Sequence, residues 1–560
     1  MFDEVLIGEK VVITNFSKKY CATSVDMLDS VGFKRMLDVY LKKQKDKNSV
    51  IYDYIKNLDI IDILKMLVVF DAHDIEKYYK LDKSLFLEFV EELYDFWRDF
   101  ERYAIIINKD SDDAIQQVNF IDSMEHFKNL VLTTYRKIEE TLMQAANNVY
   151  RQLNAGVNVG IAVGRVPTLL PKDYQALSRV DFVKKVVIQP PFFVYTKQNT
   201  RKGIFNEIFE NPIKSLQFDS NKWLCYPAKI GEKIAFVYFN TDFMAQGISL
   251  SNLFEMAETR DYKNKKPDII LIFGAEDGES ELKYPFYVDK ENNIVVGYLN
   301  HNEKIDYFGY MKKALLTTYN IKMIENGNLP IHGAMVNITL KNNKSVNLVL
   351  MGDSGAGKSE SLEAFRQIAD DYIKGMKVIF DDMGYFAIRE NKVYGYGTET
   401  GAFVRLDDLD KGYAYKTMDR SIFLNPNRIN ARVVLPITTY KIVNMGYEVE
   451  YFLYANNYEK DGKTLEFFKN IEDAKKVFTL GKRMAKGTTS EVGITTSYFA
   501  NPFGPAQREK ETNVLIDKFF EKLFKDGVKV GQIKTKLGIE GMEQEGPLNA
   551  AKDLLNAIKS

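Results

Sequence analysis

Residues 348 to 365, LVLMGDSGAGKSESLEAF, join an apolar run to a helix-like stretch through a glycine-rich turn. Two glycines separated by four residues, then a lysine and a hydroxyl residue, fit the phosphate-binding loop (P-loop) pattern Gly-x-x-x-x-Gly-Lys-Ser. Backbone N–H groups and the helix N-terminus hold a polyphosphate in such a loop, the lysine reaches the outer phosphates and the hydroxyl ligates a divalent cation. The predicted nucleotide-binding residues are Gly352, Asp353, Ser354, Gly355, Ala356, Gly357, Lys358, Ser359 and Glu360.

Two carboxylates, Asp381 and Asp382, end the next apolar run, VIFDD. Carboxylates at the end of such a strand hold the metal ion that bridges nucleotide phosphates. An acidic turn at a strand end is the structural alternative. Their position shortly after the P-loop lysine favours a metal site.

A histidine and a lysine pair lie upstream of the loop. His332, one of only four histidines, follows the turn NLP, and Lys312 and Lys313 begin a predicted helix. A structural histidine is the alternative interpretation of His332. An imidazole, a carboxylate and a lysine together make a site for a transition metal such as Mn²⁺.

Three regions must position these residues. Apolar residues at helical spacing, with charges between them, predict a helical N-terminal region over 1–153, for which a scaffold or oligomerisation role is the simpler interpretation. Short β-branched and aromatic runs broken by Gly, Pro and Asn predict a mixed α+β substrate-binding domain over 154–335. The order in which a strand, the P-loop, a helix and an acidic strand then follow predicts a nucleotide-binding domain over 336–560.

Composition narrows the class of protein. A chain of 560 residues is long enough for two or three domains, and a net charge of −1 provides no global attraction to nucleic acid or anionic lipid. Two distant cysteines match neither a zinc site nor a disulfide framework. With no signal-like N-terminus and no long apolar run, we expect a soluble cytoplasmic protein with no nucleic-acid or membrane partner.

Several segments resemble, in order, the motifs of phosphoenolpyruvate carboxykinases, over about residues 300 to 505. They are YFGYMKKALLTTYNI with GNLPIHGAMVNI, GDSGAGKSE, VIFDD, GTETGAFVRL, NARVVLPI and KGTTSEVGITTSYFANPFG. The resemblance implies an α/β (α+β) fold: a two-lobed carboxykinase-like core with a C-terminal P-loop mononucleotide-binding domain, here with an extra N-terminal helical region.

The resemblance also implies roles for individual residues. Those that match metal ligands are Lys312, His332 and Asp381 for the catalytic Mn²⁺ and Ser359 for the nucleotide-bound Mg²⁺. Asp382 is a candidate either to contact a metal ligand or to bind a second metal. Those that match catalytic or substrate-binding positions are Lys312, Lys358, Arg405 and Arg432, with Glu399 and Gly401 in the same lining segment. Arg165 is the first candidate for the residue that binds the oxaloacetate carboxylate, and Arg201 is the second.

The implied reaction is metal-dependent decarboxylation of oxaloacetate with phosphoryl transfer from a nucleotide, giving phosphoenolpyruvate and CO₂, as in gluconeogenesis. The phosphoryl donor is ATP or another compound, with GTP and pyrophosphate as alternatives. We also expect that the protein forms a homo-oligomer through its N-terminal region. Residues 484 to 493, MAKGTTSEVG, are a lid or base-binding candidate, with a surface loop as the alternative.

Departures from the family pattern keep two other functions open. Ser359-Glu360 replaces two threonines and is closer to the HPr kinase/phosphorylase family, Arg405 replaces a lysine, and FDD replaces GDD. The alternatives are a kinase or phosphorylase acting on a protein or another small molecule, and a non-catalytic nucleotide-binding regulatory protein.

Overall fold

The computed structural model describes residues 3–47, 49–70, 78–107, 114–144, 154–214, 216, 218–369, 372–406, 418–485 and 493–559, with the backbone alone for 114–118. The chain divides into two units. The first comprises Met1–Val166, Arg179–Phe192 and Phe218–Leu224, and the second Pro167–Ser178, Phe193–Gln217 and Cys225–Ser560. Both contain helices and sheet, so the fold class is mixed α/β, as predicted. In the described part of the chain, no helix is long and apolar enough to cross a bilayer.

The first unit contains five neighbouring strands. They are β1 Val5–Ile7, β2 Val11–Asn15, β3 Glu101–Ile107, β4 Val159–Gly164 and β5 Asp181–Ile188. The pairs β2–β3 and β3–β4 are parallel, whereas β1–β2 and β4–β5 are antiparallel. Parallel pairs require crossover connections, and helices provide them here.

Six helices accompany this sheet. They are α1 Ser24–Asp29, α2 Val31–Asp46, α3 Val50–Ile55, α4 Ile60–Val69, α5 Lys83–Arg98 and α6 Ala114–Met143. Side-chain caps fix several starts: Thr23 forms a capping box with Asp26, and Ser30 accepts from the Phe33 N–H. The predicted helices are present, but the prediction of a purely helical region over 1–153 is incomplete, because β1, β2 and β3 lie within it.

A buried arginine joins the end of α5 to β3 and to the segment before β4. Arg102 is 3% exposed, and burial lowers its pKa to about 10. Its guanidinium donates to the carbonyl oxygens of Gly156 (2.7 Å), Arg98 (2.6 Å), Trp97 (3.1 Å), Phe100 (3.1 Å) and Asn154 (3.2 Å). A single side chain therefore satisfies carbonyls from two distant segments of the first unit.

Replacing Arg102 with methionine should destabilise the first unit by about 3 kcal/mol, because buried carbonyls lose their donor while side-chain volume is nearly kept. The matched control is Arg98→Met: that side chain is 35% exposed and pairs with Asp95 at 3.6 Å, so we expect a loss below about 1 kcal/mol. Urea denaturation followed by circular dichroism measures both. Equal losses in the two variants would contradict the structural role assigned to Arg102.

The second unit has two larger sheets and two smaller ones. In one of the larger sheets the strand order is β8 Trp223–Ile230, β9 Lys233–Asn240, β11 Ile269–Ala275, β13 Ile294–Asn300, β12 Phe286–Asp289 and β7 Glu207–Ile208. Strand β10, Glu255–Met256, pairs with β8. Strand β11 pairs in parallel with both β9 and β13, and all its residues are buried. Its sequence, IILIFGA, shows the continuous apolar run typical of a central parallel strand.

The next sheet carries the P-loop. Its order is β22 Tyr447–Glu448, β18 Lys392–Gly397, β17 Met383–Arg389, β14 Leu329–Leu340, β15 Ser345–Met351, β23 Tyr451–Asn456, β27 Lys529–Lys534 and β24 Leu465–Phe467, with β16 Ile373–Phe380 paired to β14. The smaller sheets contain β19 Gly401–Arg405, β20 Ile422–Leu424 and β21 Arg432–Pro436, then β25 Lys482–Met484 and β26 Ile494–Thr496. The short strand β6, Phe192–Val194, lies at the boundary of the units.

The helices of the second unit are α7 Met244–Ser249, α8 Thr259–Tyr262, α9 Phe308–Glu325, α10 Lys358–Ile368, α11 Tyr440–Asn444, α12 Ile471–Leu480, α13 Glu509–Lys525 and α14 Glu545–Lys559. Helix α9 is buried on nearly every side. Two apolar clusters fix the P-loop sheet: one packs α12 and α13 against it, and the other packs α10 and α14. The strands and helices that flank the candidate site are thus held by extensive burial.

Candidate functional site

The glycine-rich loop lies between β15 and α10, as the sequence predicts. Gly355 and Gly357 have φ values of +78° and +88°, in a backbone region that residues other than glycine rarely adopt. A Cβ on Gly357 would lie 2.5 Å from Thr535 Oγ1. The loop therefore needs glycine at position 357 for both backbone conformation and space.

Side chains from distant parts of the sequence hold the loop in place. Three of them donate to its carbonyl oxygens: Thr535 Oγ1 to Ala356 at 2.7 Å, Asn457 Nδ2 to Gly355 at 2.9 Å and Arg483 Nη1 to Ser354 at 3.0 Å. The buried Arg483 also pairs through Nε with Asp353 Oδ2 at 3.1 Å. Sequence analysis missed these supports, because no local pattern marks a residue that reaches the loop from so far along the chain.

The P-loop lysine and serine face different partners. Lys358 is buried, and its Nζ donates to the carbonyl oxygens of Gly352 (2.8 Å) and Asp353 (3.0 Å). Ser359 Oγ donates to Asp381 Oδ1 at 3.2 Å. A hydroxyl and a carboxylate oxygen are the hard ligands that Mg²⁺ prefers, so Ser359 and Asp381 fit a nucleotide-bound Mg²⁺.

The second aspartate belongs to a separate cluster. His332 Nε2 lies 3.0 Å from Asp382 Oδ1, and Lys312 Nζ and Lys313 Nζ each lie 2.7 Å from Asp382 Oδ2. Strand pairing explains this: His332 on β14 is opposite Met383 on β17, which places Asp382, the residue before β17, beside the imidazole. The lysines come from the first turns of α9.

The structure thus places the two aspartates differently from the prediction, which grouped Asp381 with Lys312 and His332. Asp382 is the carboxylate of that cluster, and Asp381 lies with Ser359. Among the described residues, no three side chains of His, Cys, Asp or Glu are grouped as metal ligands. A cation in the cluster would need a lysine amine or a substrate atom besides His332 and Asp382.

The two ring nitrogens of His332 face different oxygen atoms. Its Nδ1 lies 2.8 Å from the Ala500 carbonyl oxygen, and its Nε2 faces Asp382. A neutral imidazole donates through one ring nitrogen and offers a lone pair at the other. With the Ala500 carbonyl accepting from Nδ1, Nε2 is the nitrogen left to ligate a metal. Imidazole nitrogen and carboxylate oxygen fit Mn²⁺.

Burial and charge shift the pKa values of the two aspartates in opposite directions. Burial raises the pKa of Asp381 to about 6, although the charge of Lys358 acts against this. Burial also opposes the charge of Asp382, but the positive charges of Lys312 and Lys313 outweigh it and hold the pKa of Asp382 well below its usual range. Asp382 therefore stays ionised, as a metal ligand must be.

The two lysines differ in the same way. Lys312 lies between two carboxylates, since its Nζ is also 3.0 Å from Glu399 Oε1. Burial opposes its charge, but Asp382 and Glu399 raise the pKa of Lys312 above its usual value. For Lys313, burial lowers the pKa despite the attraction of Asp382. Burial therefore favours loss of the proton from Lys313 more than from Lys312, the lysine that the resemblance implies as a metal ligand.

Arginines supply positive charge near both clusters. Arg405 on β19 is opposite Arg432 on β21, and both line the same cleft. Like charges directly opposite each other on paired strands repel. Arg201, the second candidate for the substrate carboxylate, lines this cleft as well, with its guanidinium 5.0 Å from the centre of the Phe503 ring. Arg165 belongs to the first unit, where its Nε pairs with Asp181 at 3.0 Å, and does not line the cleft.

One cleft in the second unit brings these groups together. It has a volume of about 1820 Å³. Its lining includes the P-loop from Asp353 to Glu360 except Ala356, both aspartates, Lys312, Lys313, His332, and the three arginines Arg201, Arg405 and Arg432. The predicted lid segment 484 to 493 falls largely on residues 486–492, which lie outside the described residues. The cleft is large enough for a nucleotide together with a small acid.

Comparisons with known proteins give no family assignment: no protein-family model matches the chain, and a search of the curated proteins finds no significant match.

Proposed function

We propose that the protein is a phosphoenolpyruvate carboxykinase-like enzyme that decarboxylates oxaloacetate and transfers a phosphoryl group from a nucleotide to the product. The observation that carries the proposal is that the P-loop and the His332–Asp382 pair line the same cleft. A P-loop alone supports nucleotide binding only. A second cation at the His332–Asp382 pair, with arginines lining the same cleft, would meet the needs of a decarboxylation coupled to phosphoryl transfer.

Two cations fit two different donor sets in this cleft. Ser359 and Asp381 would hold the Mg²⁺ of the nucleotide, and His332, Asp382 and Lys313 would hold Mn²⁺. When bound, these ions supply positive charge to the oxygens on which negative charge develops. Lys312 then has a positioning role, since its pairs with Asp382 and Glu399 keep the metal-binding carboxylate in place.

The side chains of the cleft account for the remaining chemistry. Arg201 and Arg405, which both line the cleft, would bind the two carboxylates of oxaloacetate. Loss of CO₂ leaves the electron pair of the broken C–C bond in the enolate of pyruvate, and the enolate oxygen attacks the γ-phosphorus as the nucleoside diphosphate leaves. Lys358 and Arg432 stabilise the charge on the phosphoryl oxygens during this transfer.

One sequence feature favours a second candidate function. Ser359-Glu360 gives the loop the form GDSGAGKSE, which is similar to the HPr kinase/phosphorylase family. Glu360 also lines the cleft. Such an enzyme would transfer the phosphoryl group to a hydroxyl of a protein. A non-catalytic nucleotide-binding protein would have no use for the second cation cluster.

A coupled assay tests the proposal. Purified protein is incubated with oxaloacetate, Mn²⁺, Mg²⁺ and ATP, GTP or pyrophosphate in turn, and phosphoenolpyruvate is followed. We expect product with one donor and none from His332→Ala. Two further variants distinguish the proposed metal ligand from the positioning residue. Lys313→Met should lose Mn²⁺ affinity without unfolding, and Lys312→Met should lower the stability of the protein. Nucleotide binding without turnover by any donor would overturn the proposal.

A further inference from the structure

One phenylalanine of the cleft contacts cations from two separate elements. Phe503 is 4% exposed and lines the cleft. Lys313 Nζ lies 4.6 Å from the centre of its ring, and the Arg201 guanidinium lies 5.0 Å from it. The His332 ring meets the same ring edge to face, with centroids 6.4 Å apart. A cation within about 6 Å of a ring centre is attracted by the electrons of the ring face. Phe503 therefore connects the His332–Asp382 cluster to the arginine assigned to a substrate carboxylate.

Two buried asparagines fix the backbone of Phe503. Asn320 Nδ2 donates to the Phe503 carbonyl oxygen at 2.6 Å, and the Phe503 N–H donates to Asn501 Oδ1 at 3.1 Å. Both asparagines are fully buried. Asn320 follows Lys313 by seven residues, two turns along α9, so the two side chains share a face of that helix. The ring is thus held against the helix that carries the lysine.

The segment that carries Phe503 is bent by two residues with an unusual backbone. Phe499 and Ala500 have φ values of +50° and +45°, a region that bulky residues rarely adopt. Such conformations persist only where the surrounding structure holds them, and they cluster at functional sites. Here the bend places the Ala500 carbonyl oxygen 2.8 Å from His332 Nδ1. Residues 499–504 therefore contact the imidazole through a carbonyl and the lysine of the same cluster through the ring of Phe503.

We propose that Phe503 is a positioning residue that sets the distance between the Mn²⁺ site and the site of the substrate carboxylate. The inference rests on the proposed function, which assigns Lys313 to the metal and Arg201 to the carboxylate. A phenyl ring accepts no strong hydrogen bond, so it orients both side chains without competing with a metal ion or a carboxylate for their nitrogen atoms. The fixed spacing suits a small dicarboxylate that reaches the arginine and the metal together.

Phe503→Leu tests this role, because it removes the aromatic face and keeps an apolar side chain. The matched control is Phe286→Leu. Phe286 is also buried and has a cation near its ring, the Arg508 guanidinium at 5.7 Å, but it is not among the described residues that line the cleft. Phe503→Tyr is the rescue variant, since it restores an aromatic face. If Phe503→Leu fails to fold, Phe503→Met takes its place.

The probes, added to the full-length chain, are Mn²⁺, followed by electron paramagnetic resonance, and malonate, a stable dicarboxylate, followed by calorimetry with Mn²⁺ present. Phe503→Leu should weaken the binding of both probes about 10-fold, Phe503→Tyr should restore it, and Phe286→Leu should leave it unchanged. Unchanged binding in Phe503→Leu, or no recovery in Phe503→Tyr, would overturn the inference.

Neither probe needs turnover, so the inference and the proposed function fail in different ways. If the unaltered protein binds both probes and Phe503→Leu weakens them, but no phosphoenolpyruvate forms with any donor, the carboxykinase proposal fails and the positioning role stands. If phosphoenolpyruvate forms and Phe503→Leu binds both probes normally, the positioning role fails alone. An unaltered protein that binds neither probe would overturn both.

Discussion

Replacing Asp382 with asparagine should lower phosphoenolpyruvate formation by at least about 100-fold and destabilise the second unit by about 3 kcal/mol. Both effects have the same origin, because Asp382 neutralises Lys312 and Lys313 and lies beside His332. The amide keeps the shape of the side chain but removes the charge that the lysines and a metal ion need. The coupled assay of phosphoenolpyruvate and urea denaturation measure the two effects, and titration of Mn²⁺ followed by electron paramagnetic resonance tests whether metal binding is lost.

The neighbouring Asp381 provides a matched control. Asp381→Asn makes the same chemical change one residue earlier, at the carboxylate that accepts from Ser359, whereas Asp382 is the carboxylate beside His332. We expect weaker binding of the Mg²⁺–nucleotide complex and unchanged Mn²⁺ affinity. If Asp381→Asn removed the Mn²⁺ signal while Asp382→Asn kept it, the assignment of the two carboxylates would be wrong.

Loss of the P-loop lysine should affect the nucleotide rather than the second metal. For Lys358→Met we expect nucleoside triphosphate affinity to fall about 100-fold, because a charge-assisted hydrogen bond to the outer phosphates is lost. Adenosine or guanosine alone, which lacks phosphates, should bind as weakly as before. Isothermal titration calorimetry compares the two ligands directly.

The control for this variant is Lys374→Met, which removes an exposed lysine whose Nζ bonds to Asn343 Oδ1 at 3.2 Å. Its nucleotide affinity should match that of the unaltered protein. Since Lys358 donates to two carbonyl oxygens of its own loop, a modest loss of stability accompanies its removal. A Lys358→Met variant that bound triphosphate normally would contradict the P-loop assignment.

The P-loop could be predicted from the sequence because its determinants are local. Left-handed glycines, the lysine and the hydroxyl follow one another between a strand and a helix, and the structure has that order. The roles of Asp381 and Asp382 could not be assigned in this way. Adjacent residues at a strand end point in different directions, and only the pairing of β14 with β17 brings Asp382 to His332.

The N-terminal strands were missed for a related reason. Helix α5 ends at Arg98 and β3 begins at Glu101, so apolar residues continue almost without a break from the helix into the strand. The helical spacing of apolar residues in α5 therefore hides the strand spacing that follows it. Strand β2 is stabilised by its parallel neighbour β3, which lies far along the chain. Long-range pairing of this kind leaves no signal in a short window of sequence.

The most direct test of the carboxykinase proposal follows the fate of the γ-phosphate. Protein is incubated with oxaloacetate, Mn²⁺, Mg²⁺ and a donor radiolabelled in its terminal phosphate, and the products are separated. The proposal predicts label in phosphoenolpyruvate, in amounts matched by CO₂ released, and its loss in Asp382→Asn. Label that appears only in protein or in inorganic phosphate would contradict it and favour a protein kinase of the HPr kinase/phosphorylase type or simple nucleotide hydrolysis.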